Sequence, residues 1–344
     1  MRQAAARGEK KIMFGAVLGD IVGSPYEKSA DNIKTKDFPL FSERSRFTDD
    51  SVMTLAVAHA FLETGYSTEE LSIREELISS MQAFGRRHPF AGYGARFSQW
   101  LRSPRPRPYN SFGNGSAMRV SSVGWLFHDL AKVRQMARLS AEVTHNHPEG
   151  IKGAEAVASA IFLARTGSSK DQIRAHIESK YRYDLSRTTD EIRPAYALRR
   201  AADDVDPVFA RRHTAGDTDS IFALRRMADD TDSVNALRPR GDDNCTASAH
   251  KRTGDDAGSV YENTLTCMGS VPEAITAFLC GENFEDVLRE AVSLGGDSDT
   301  IAAIAGSIAE AFYGIPDNLK AKCYDYLTDD LAAVLRTFEE AVGC

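Results

Sequence analysis

Cysteine is scarce and unpatterned in this chain: five residues (Cys245, Cys267, Cys280, Cys323 and Cys344), an odd number with no C-x-x-C pair. That excludes a disulfide framework and a thiolate zinc site, and fits reduced thiols in a cytoplasmic protein. Long apolar runs are also missing. No stretch approaches the roughly 18 consecutive apolar residues of a membrane-spanning helix. Met1-Arg2-Gln3-Ala4-Ala5-Ala6-Arg7 has charges but no apolar segment behind them, so it does not read as a secretion signal. Positive charge is not in excess: a net charge of −7 argues against a general nucleic-acid binder, which normally carries a basic face. What remains is a 344-residue chain with 42% hydrophobic and 26% charged residues, the balance of an ordinary globular protein. We therefore expect a cytoplasmic protein with no membrane partner.

One internal segment breaks the pattern. Residues 197–261 divide into five blocks of 13, the first three being ALRRAADDVDPVF, ARRHTAGDTDSIF and ALRRMADDTDSVN. Each block opens on Ala, turns basic and then places Asp near its centre, which is a tandem repeat. Thirteen residues at about 100° each leave a remainder of about 220°, so successive blocks share no helix face. Large apolar residues are few, and Pro207 and Pro239 interrupt the run. A solenoid needs a continuous apolar stack. The expectation is a flexible, charged insertion; a partner-binding or acidic metal-binding arm is the alternative. Joining residue 196 to residue 262 leaves a coherent sequence, so the body reads as one domain over 11–344 split by the repeat.

The body carries helical periodicity, and its strand-like alternations are short and weak. Apolar residues fall at Ile301, Ile304, Ala305, Ile308, Ala309 and Phe312, and Gly314 with Pro316 ends the run. The remaining positions are mostly small, which predicts a central buried helix. Helices are also predicted after Thr48 up to Gly65, over 68–86 and 129–142, from Pro148 to near Gly167, from Pro272 to Gly281, and over 284–294. The predicted fold class is all-α, a compact many-helix globule.

Two acidic motifs stand at the starts of apolar helices: Thr48-Asp49-Asp50 and Asp297-Ser298-Asp299-Thr300. Either one alone is explained as a helix cap that complements the dipole. Together they place four carboxylates and two hydroxyls before strongly apolar helices, a costly cluster without cations. An all-oxygen set suits Mg²⁺, Mn²⁺ or Ca²⁺ rather than zinc. Gly216-Asp217-Thr218-Asp219-Ser220 echoes the second motif inside the repeat, but no apolar helix follows it. The glycines of Gly15-Ala16-Val17-Leu18-Gly19-Asp20-Ile21-Val22-Gly23 suggest close helix packing, and Glu27 follows as a loop carboxylate within reach of a ligand. Ser111-Phe112-Gly113-Asn114-Gly115-Ser116 is a turn running into a helix, either a plain capped turn or a backbone cradle for a phosphate. His145 and His147 precede Pro148, as caps, a surface pair or ligand contacts.

These motifs in this order resemble the ADP-ribosylglycohydrolase family, which includes the dinitrogenase reductase-activating glycohydrolase and the ADP-ribosylarginine hydrolases. The matching segments are GAVLGDIVGSPYE (15–27), FTDDSVMTLAVA (47–58), SFGNGSAMRV (111–120), THNHPEGIKGAEAVA (144–158), GSVPEAITAFL (269–279) and LGGDSDTIAAIAGSIAEAFYG (294–314). The resemblance runs from about residue 11 to 340, apart from the repeat, which the family pattern lacks. It implies two divalent ions, Mg²⁺ or Mn²⁺, held by Thr48, Asp49, Asp50, Asp297, Asp299 and Thr300. It implies catalytic roles for Glu27 and Asp297, and puts Asn114, Gly115, Ser116 and His145 near ADP-ribose. The expected activity is removal of ADP-ribose from a modified target, with ADP-ribosyl-arginine on protein favoured. Hydrolysis of O-linked ADP-ribose (on serine or in O-acetyl-ADP-ribose) and a non-catalytic ADP-ribose binder are the alternatives, and a modified nucleic acid remains open as a substrate.

Overall fold

The computed structural model describes residues 13–27, 32–65, 69–193 and 264–342. The repeat at 197–261, including its echo of the acidic motif, lies outside the described residues. Among the described residues there are fourteen α-helices and no strand, with only a single isolated bridge between Gly113 and Thr266. No helix among them is long and apolar enough to cross a membrane.

The predicted central helix is α12, Ser298–Tyr313, and it is buried continuously from Ser298 to Ala311. Its small residues let α1 (Phe14–Gly23), itself buried along its whole length, lie against it with almost no space between the backbones. A Cβ on Gly15 would collide with the Gly306 carbonyl oxygen, one on Gly19 with the Ala302 carbonyl, and one on Gly23 would come within 2.5 Å of Asp299 Cα. Helices at such contact have no room for side chains between them, so glycine is required by close approach rather than by dihedral angle. The Gly15 N–H donates to Glu310 Oε2 at 2.7 Å, which satisfies an otherwise orphaned group at the start of α1 with a buried carboxylate from α12.

The other helices enclose this pair. They are α2 (Asp49–Glu63), α3 (Glu70–Arg87), α4 (Ala95–Arg102), the short α5 (Gly115–Met118) and α6 (Ser121–Leu126), α7 (Leu130–Glu142), α8 (Pro148–Arg165) and α9 (Lys170–Tyr181). After residue 263 come α10 (Cys267–Cys280), α11 (Phe284–Leu294), then α12, α13 (Asp317–Tyr324) and α14 (Asp329–Val342). One hydrophobic core runs through elements from both sides of residues 194–263.

One predicted boundary is wrong. Pro272 does not open its helix; α10 begins five residues earlier, at Cys267, and Pro272 lies inside it. The start belongs to Thr266, whose hydroxyl accepts the Gly269 N–H at 3.2 Å. Proline removes only the N–H that would donate to the Met268 carbonyl, and Met268 is exposed at 40%, so water can donate to that carbonyl instead. By contrast, Pro148 does occupy the first helical position of α8, behind the His147 cap, as predicted.

Gly19→Ala tests the α1–α12 contact. A backbone carbonyl cannot swing aside like a side chain, so the methyl must push the helices apart. We expect a loss of about 2–3 kcal/mol, read as a lower midpoint of thermal unfolding. An unchanged midpoint would mean the helices are not held this closely.

Candidate metal centre

The first acidic motif is organised from below by α1. Thr48 caps α2, its hydroxyl accepting the Asp50 N–H at 3.3 Å. Beneath it lies Asp20, a fully buried carboxylate in the otherwise apolar and small α1. Asp20 Oδ1 accepts the Thr48 hydroxyl proton at 2.7 Å. Its Oδ2 accepts the Thr48 N–H at 2.8 Å, the Ser51 N–H at 3.0 Å and the Ser51 hydroxyl. With four donors on its two oxygens, Asp20 is an anchor for the first turn of α2. It also takes the proton of Thr48 Oγ1, which leaves that oxygen one lone pair beyond the one that accepts the Asp50 N–H. Sequence reading passed over Asp20; the available signal was a lone acid in a helix with no polar face.

The second motif is delivered by a turn that only glycine makes easily. Gly295 and Gly296 sit at φ 75° and 72°, in the left-handed region. Asn32 Oδ1 accepts the Gly296 N–H at 2.6 Å, and Thr264 Oγ1 accepts the Asp297 N–H at 3.2 Å. Asp297 occupies the cap position of α12, yet its side chain makes no capping bond. Its carboxylate instead accepts the Asn114 amide at 2.6 Å. The helix-cap explanation therefore fails for Asp297.

The two motifs meet. Thr300 Oγ1 donates to Asp50 Oδ2 at 3.1 Å, across 250 residues of sequence. Carboxylate oxygens of Asp20, Asp50 and Asp299 lie within 4.8 Å of one another, and so do those of Glu27, Asp297 and Asp299. None of Asp20, Asp49, Asp50, Asp297 and Asp299 forms an ion pair with Lys or Arg among the described residues. Two like charges at that spacing repel by about 3–4 kcal/mol at an effective dielectric near 20. Several such pairs together would equal the whole stability of a typical domain. The protein therefore has to protonate some of these acids or place cations among them.

The titration of the group reflects this. Burial, then the Asp20, Asp297 and Glu27 charges, hold Asp49 well above the usual carboxylate range. Burial and the neighbouring aspartates do the same to Asp50 and Asp299. Asp20 is pushed up to about 6 by burial, against the hydrogen bonds from Ser51 and Thr48. Asp297 is also pushed up to about 6, by burial and the Glu27 charge, against the Asn114 hydrogen bond. Asp50 Oδ1 is buried with no hydrogen-bond partner. An orphaned buried oxygen in an all-oxygen cluster is what a hard divalent ion would satisfy, so the residues present fit such an ion.

Beside the acids lies a polar turn. Asn114 caps the short α5, but its side-chain amide serves Asp297, the Thr264 carbonyl and Ser270. Ser116 is fully buried and its hydroxyl donates to the Gly150 carbonyl at 2.7 Å, tying α5 to α8. Of the expected ligand contacts here, the Ser116 side chain thus points into the core. His145 faces the turn: its Nε2 would lie 3.2 Å from a Cβ on Gly115. Buried Arg119 donates to Thr144 Oγ1 at 2.8 Å, and that hydroxyl is hydrogen-bonded to His145 Nδ1 at 2.7 Å. The pair fixes the ring so that Nε2 is the nitrogen facing the turn. Burial, with Arg119 and Arg96 nearby, holds the His145 pKa well below its usual value, so the ring stays neutral.

Asp20 and Asp297 yield a pH prediction. Both carboxyls sit at about 6, above the ordinary 3.8. The stability that the protonated acids contribute is present below the unfolded value and is lost as pH rises through about 6. A divalent cation replaces that loss. The rise in unfolding midpoint caused by Mg²⁺ or Mn²⁺ should therefore be larger near pH 7.5 than near pH 5, in differential scanning fluorimetry. An equal rise at both pH values would show that cations bind elsewhere.

A family model described as ADP-ribosylglycohydrolase matches residues 5–342. Human ADP-ribosylhydrolase ARH3 is 28% identical, over 93% of this chain and 90% of its own length. Mouse ADP-ribosylhydrolase ARH3 is 26% identical, over 96% and 91%. A solved structure described as an ADP-ribosylglycohydrolase-related protein complex shares the fold, with a TM-score of 0.54 and 21% identity over 96% of each chain. With its paired acidic motifs gathered on one side of α12, the chain belongs to the ADP-ribosylglycohydrolase family and is a hydrolase of ADP-ribosyl glycosidic bonds.

Proposed function

We propose that the chain removes ADP-ribose from an O-linked target, using two Mg²⁺ or Mn²⁺ ions held by Thr48, Asp49, Asp50, Asp297, Asp299 and Thr300. The observation that carries this reading is the Thr300–Asp50 hydrogen bond, which joins the two motifs beside Glu27. When bound, the ions would supply Lewis-acid polarisation and offset the carboxylate charges.

The protein groups divide the remaining work. Glu27 is half-buried at the edge of the cluster, where it can take a proton from an attacking water. Asp297, held in place by Asn114, lies beside Glu27 and stabilises the positive charge that develops at the anomeric carbon. Neutral His145 presents its Nε2 towards the turn at 113–115, where the Nε2–H tautomer would donate to the pyrophosphate. Asn114 contributes through Asp297, and Gly115 leaves space that a side chain would fill. A role for Ser116 is confined to its backbone.

The favoured linkage shifts from the arginine expected on sequence grounds to the O-linked alternative. Arg96 places a cation close to His145: it lies over the Tyr109 ring at 4.9 Å and donates to the Tyr109 carbonyl at 2.7 Å, and the Tyr109 and His145 rings are 5.8 Å apart. A target guanidinium would be repelled there, while a neutral or anionic target would not. The full set of acidic residues and the orphaned Asp50 oxygen favour an enzyme over a non-catalytic binder.

The test is release of ADP-ribose from ADP-ribosyl-serine and ADP-ribosyl-arginine peptides, with Mg²⁺ or Mn²⁺ and with chelator. We expect metal-dependent release from serine and at least about tenfold slower release from arginine. Faster turnover of the arginine peptide would overturn the linkage. Asp297→Ala and Asp50→Ala should each lower release by roughly a thousandfold or more while the protein stays folded. Release at the parent rate by either variant would sink the metal reading.

A further inference from the structure

Charge is segregated along this acidic chain. Between Glu76 and Asp129 there is no Asp or Glu and no Lys, but seven arginines. Arg119 is buried, and Arg86, Arg87 and Arg96 are engaged by neighbours. The other three are Arg102, the last residue of α4, and Arg105 and Arg107 in the segment Ser103-Pro104-Arg105-Pro106-Arg107-Pro108 that follows it. Arg102, Arg105 and Arg107 are exposed, and none forms an ion pair among the described residues. Alternating prolines restrict both their own φ and the residue before each of them, so the strap is stiff; it bends at 104–105 and carries no regular structure from 106 to 108. Two residues of such chain advance about 6 Å, which keeps the guanidiniums apart and out in solvent.

The strap leads to the site. Its outer end is tied to α3 through the Ser103 carbonyl, which accepts the Gln82 amide at 2.9 Å. Its inner end is fixed by the Tyr109 N–H, donating to the Thr144 carbonyl at 3.0 Å next to His145. Arg96 in the first turn of α4 covers the Tyr109 ring, so the strap doubles back along α4 towards the turn at 113–115. At the same end of α4 the loop over Asp49 carries Phe90, which is 97% exposed. That loop is held by the Asp49 N–H donating to the Ala91 carbonyl at 2.9 Å.

We propose that this arginine strap, with Phe90, is a docking surface for a single-stranded nucleic acid whose ADP-ribosylated end enters the carboxylate cluster. The choice of arginine over lysine at every cationic position suits planar, bidentate contact with phosphate. An exposed aromatic ring on the same acid-free stretch of chain as the arginines adds a face on which a base can stack. Net charge conceals this surface because the acids lie elsewhere in the chain. The proposal rests on the hydrolase reading for the fate of the modified end, but binding of the strand is measured without hydrolysis.

The probe is a labelled, unmodified single-stranded oligonucleotide of about 15 nucleotides, titrated with the full chain in chelator and followed by fluorescence anisotropy. We expect binding whose logarithm falls with the logarithm of salt at a slope of about −2, the value for three arginine contacts to a single strand. Arg102→Gln/Arg105→Gln/Arg107→Gln should weaken it at least about tenfold and flatten the slope, while release of ADP-ribose from an O-linked serine peptide stays within about twofold. Phe90→Ala should weaken single-strand binding by about tenfold and leave duplex binding unchanged. Equal binding by the triple variant would overturn the proposal. So would a poly-glutamate peptide of equal length displacing the oligonucleotide at matched concentration, which would point to an acidic protein. A triple variant that also loses the peptide reaction, or unfolds earlier in a thermal scan, is replaced by the single Arg105→Gln and Arg107→Gln variants. Each of these should flatten the slope by about one contact, and failure of both to do so overturns the proposal.

Discussion

The contact between α1 and α12 is the constraint on which the rest depends. Their backbones touch through Gly15, Gly19, Gly23 and the small residues of α12, with no side chains between them. Because there is no slack, Asp20 on one helix and Asp299 on the other are placed by backbone geometry rather than by flexible side chains. A site that must hold several like charges a few ångströms apart needs such rigidity, since each acid would relax away from the others if the scaffold yielded.

Electrostatics then explains the surroundings of the acids. Asp20 is stabilised by four donors, Asp297 by the Asn114 amide, and Asp50 by Thr300. These are partial compensations: they lower what burial raises, yet Asp49, Asp50 and Asp299 remain held well above the usual carboxylate range. The fold therefore concentrates unbalanced negative charge at one face of its core. Apart from Arg119, which is buried against the Ser140 carbonyl and Thr144, positive charge in this part of the chain lies further out, on Arg96 and the exposed strap. The two signs sort by depth, with the inner acids suited to cations and the outer arginines to an anionic target.

Much of this was legible in sequence. The period of 3.6 residues located α2, α8, α11 and α12, because their large apolar residues recur at helical spacing and each run stops at or next to a glycine. The short α5 and α6 had too few turns to show a period. Pro272 misled because proline more often begins a helix than interrupts one, and the true start at Thr266 is marked only by a hydroxyl. The family resemblance puts Asn114 and Ser116 near the ligand. Their side chains are spent on Asp297 and on the Gly150 carbonyl, which no local pattern reveals.

By itself, the sequence determined the helical class, the two acidic motifs at helix starts, the tandem repeat and the family resemblance. These depend on order and spacing along the chain, and order is all that a sequence records. Only the tertiary structure decided that Asp50 and Thr300 touch, that Asp20 lies beneath both motifs, that Asp297 is not a helix cap, and that an arginine strap ends beside His145. Each of those facts is a meeting of residues far apart in the chain, set by how closely two small-residue helices can approach.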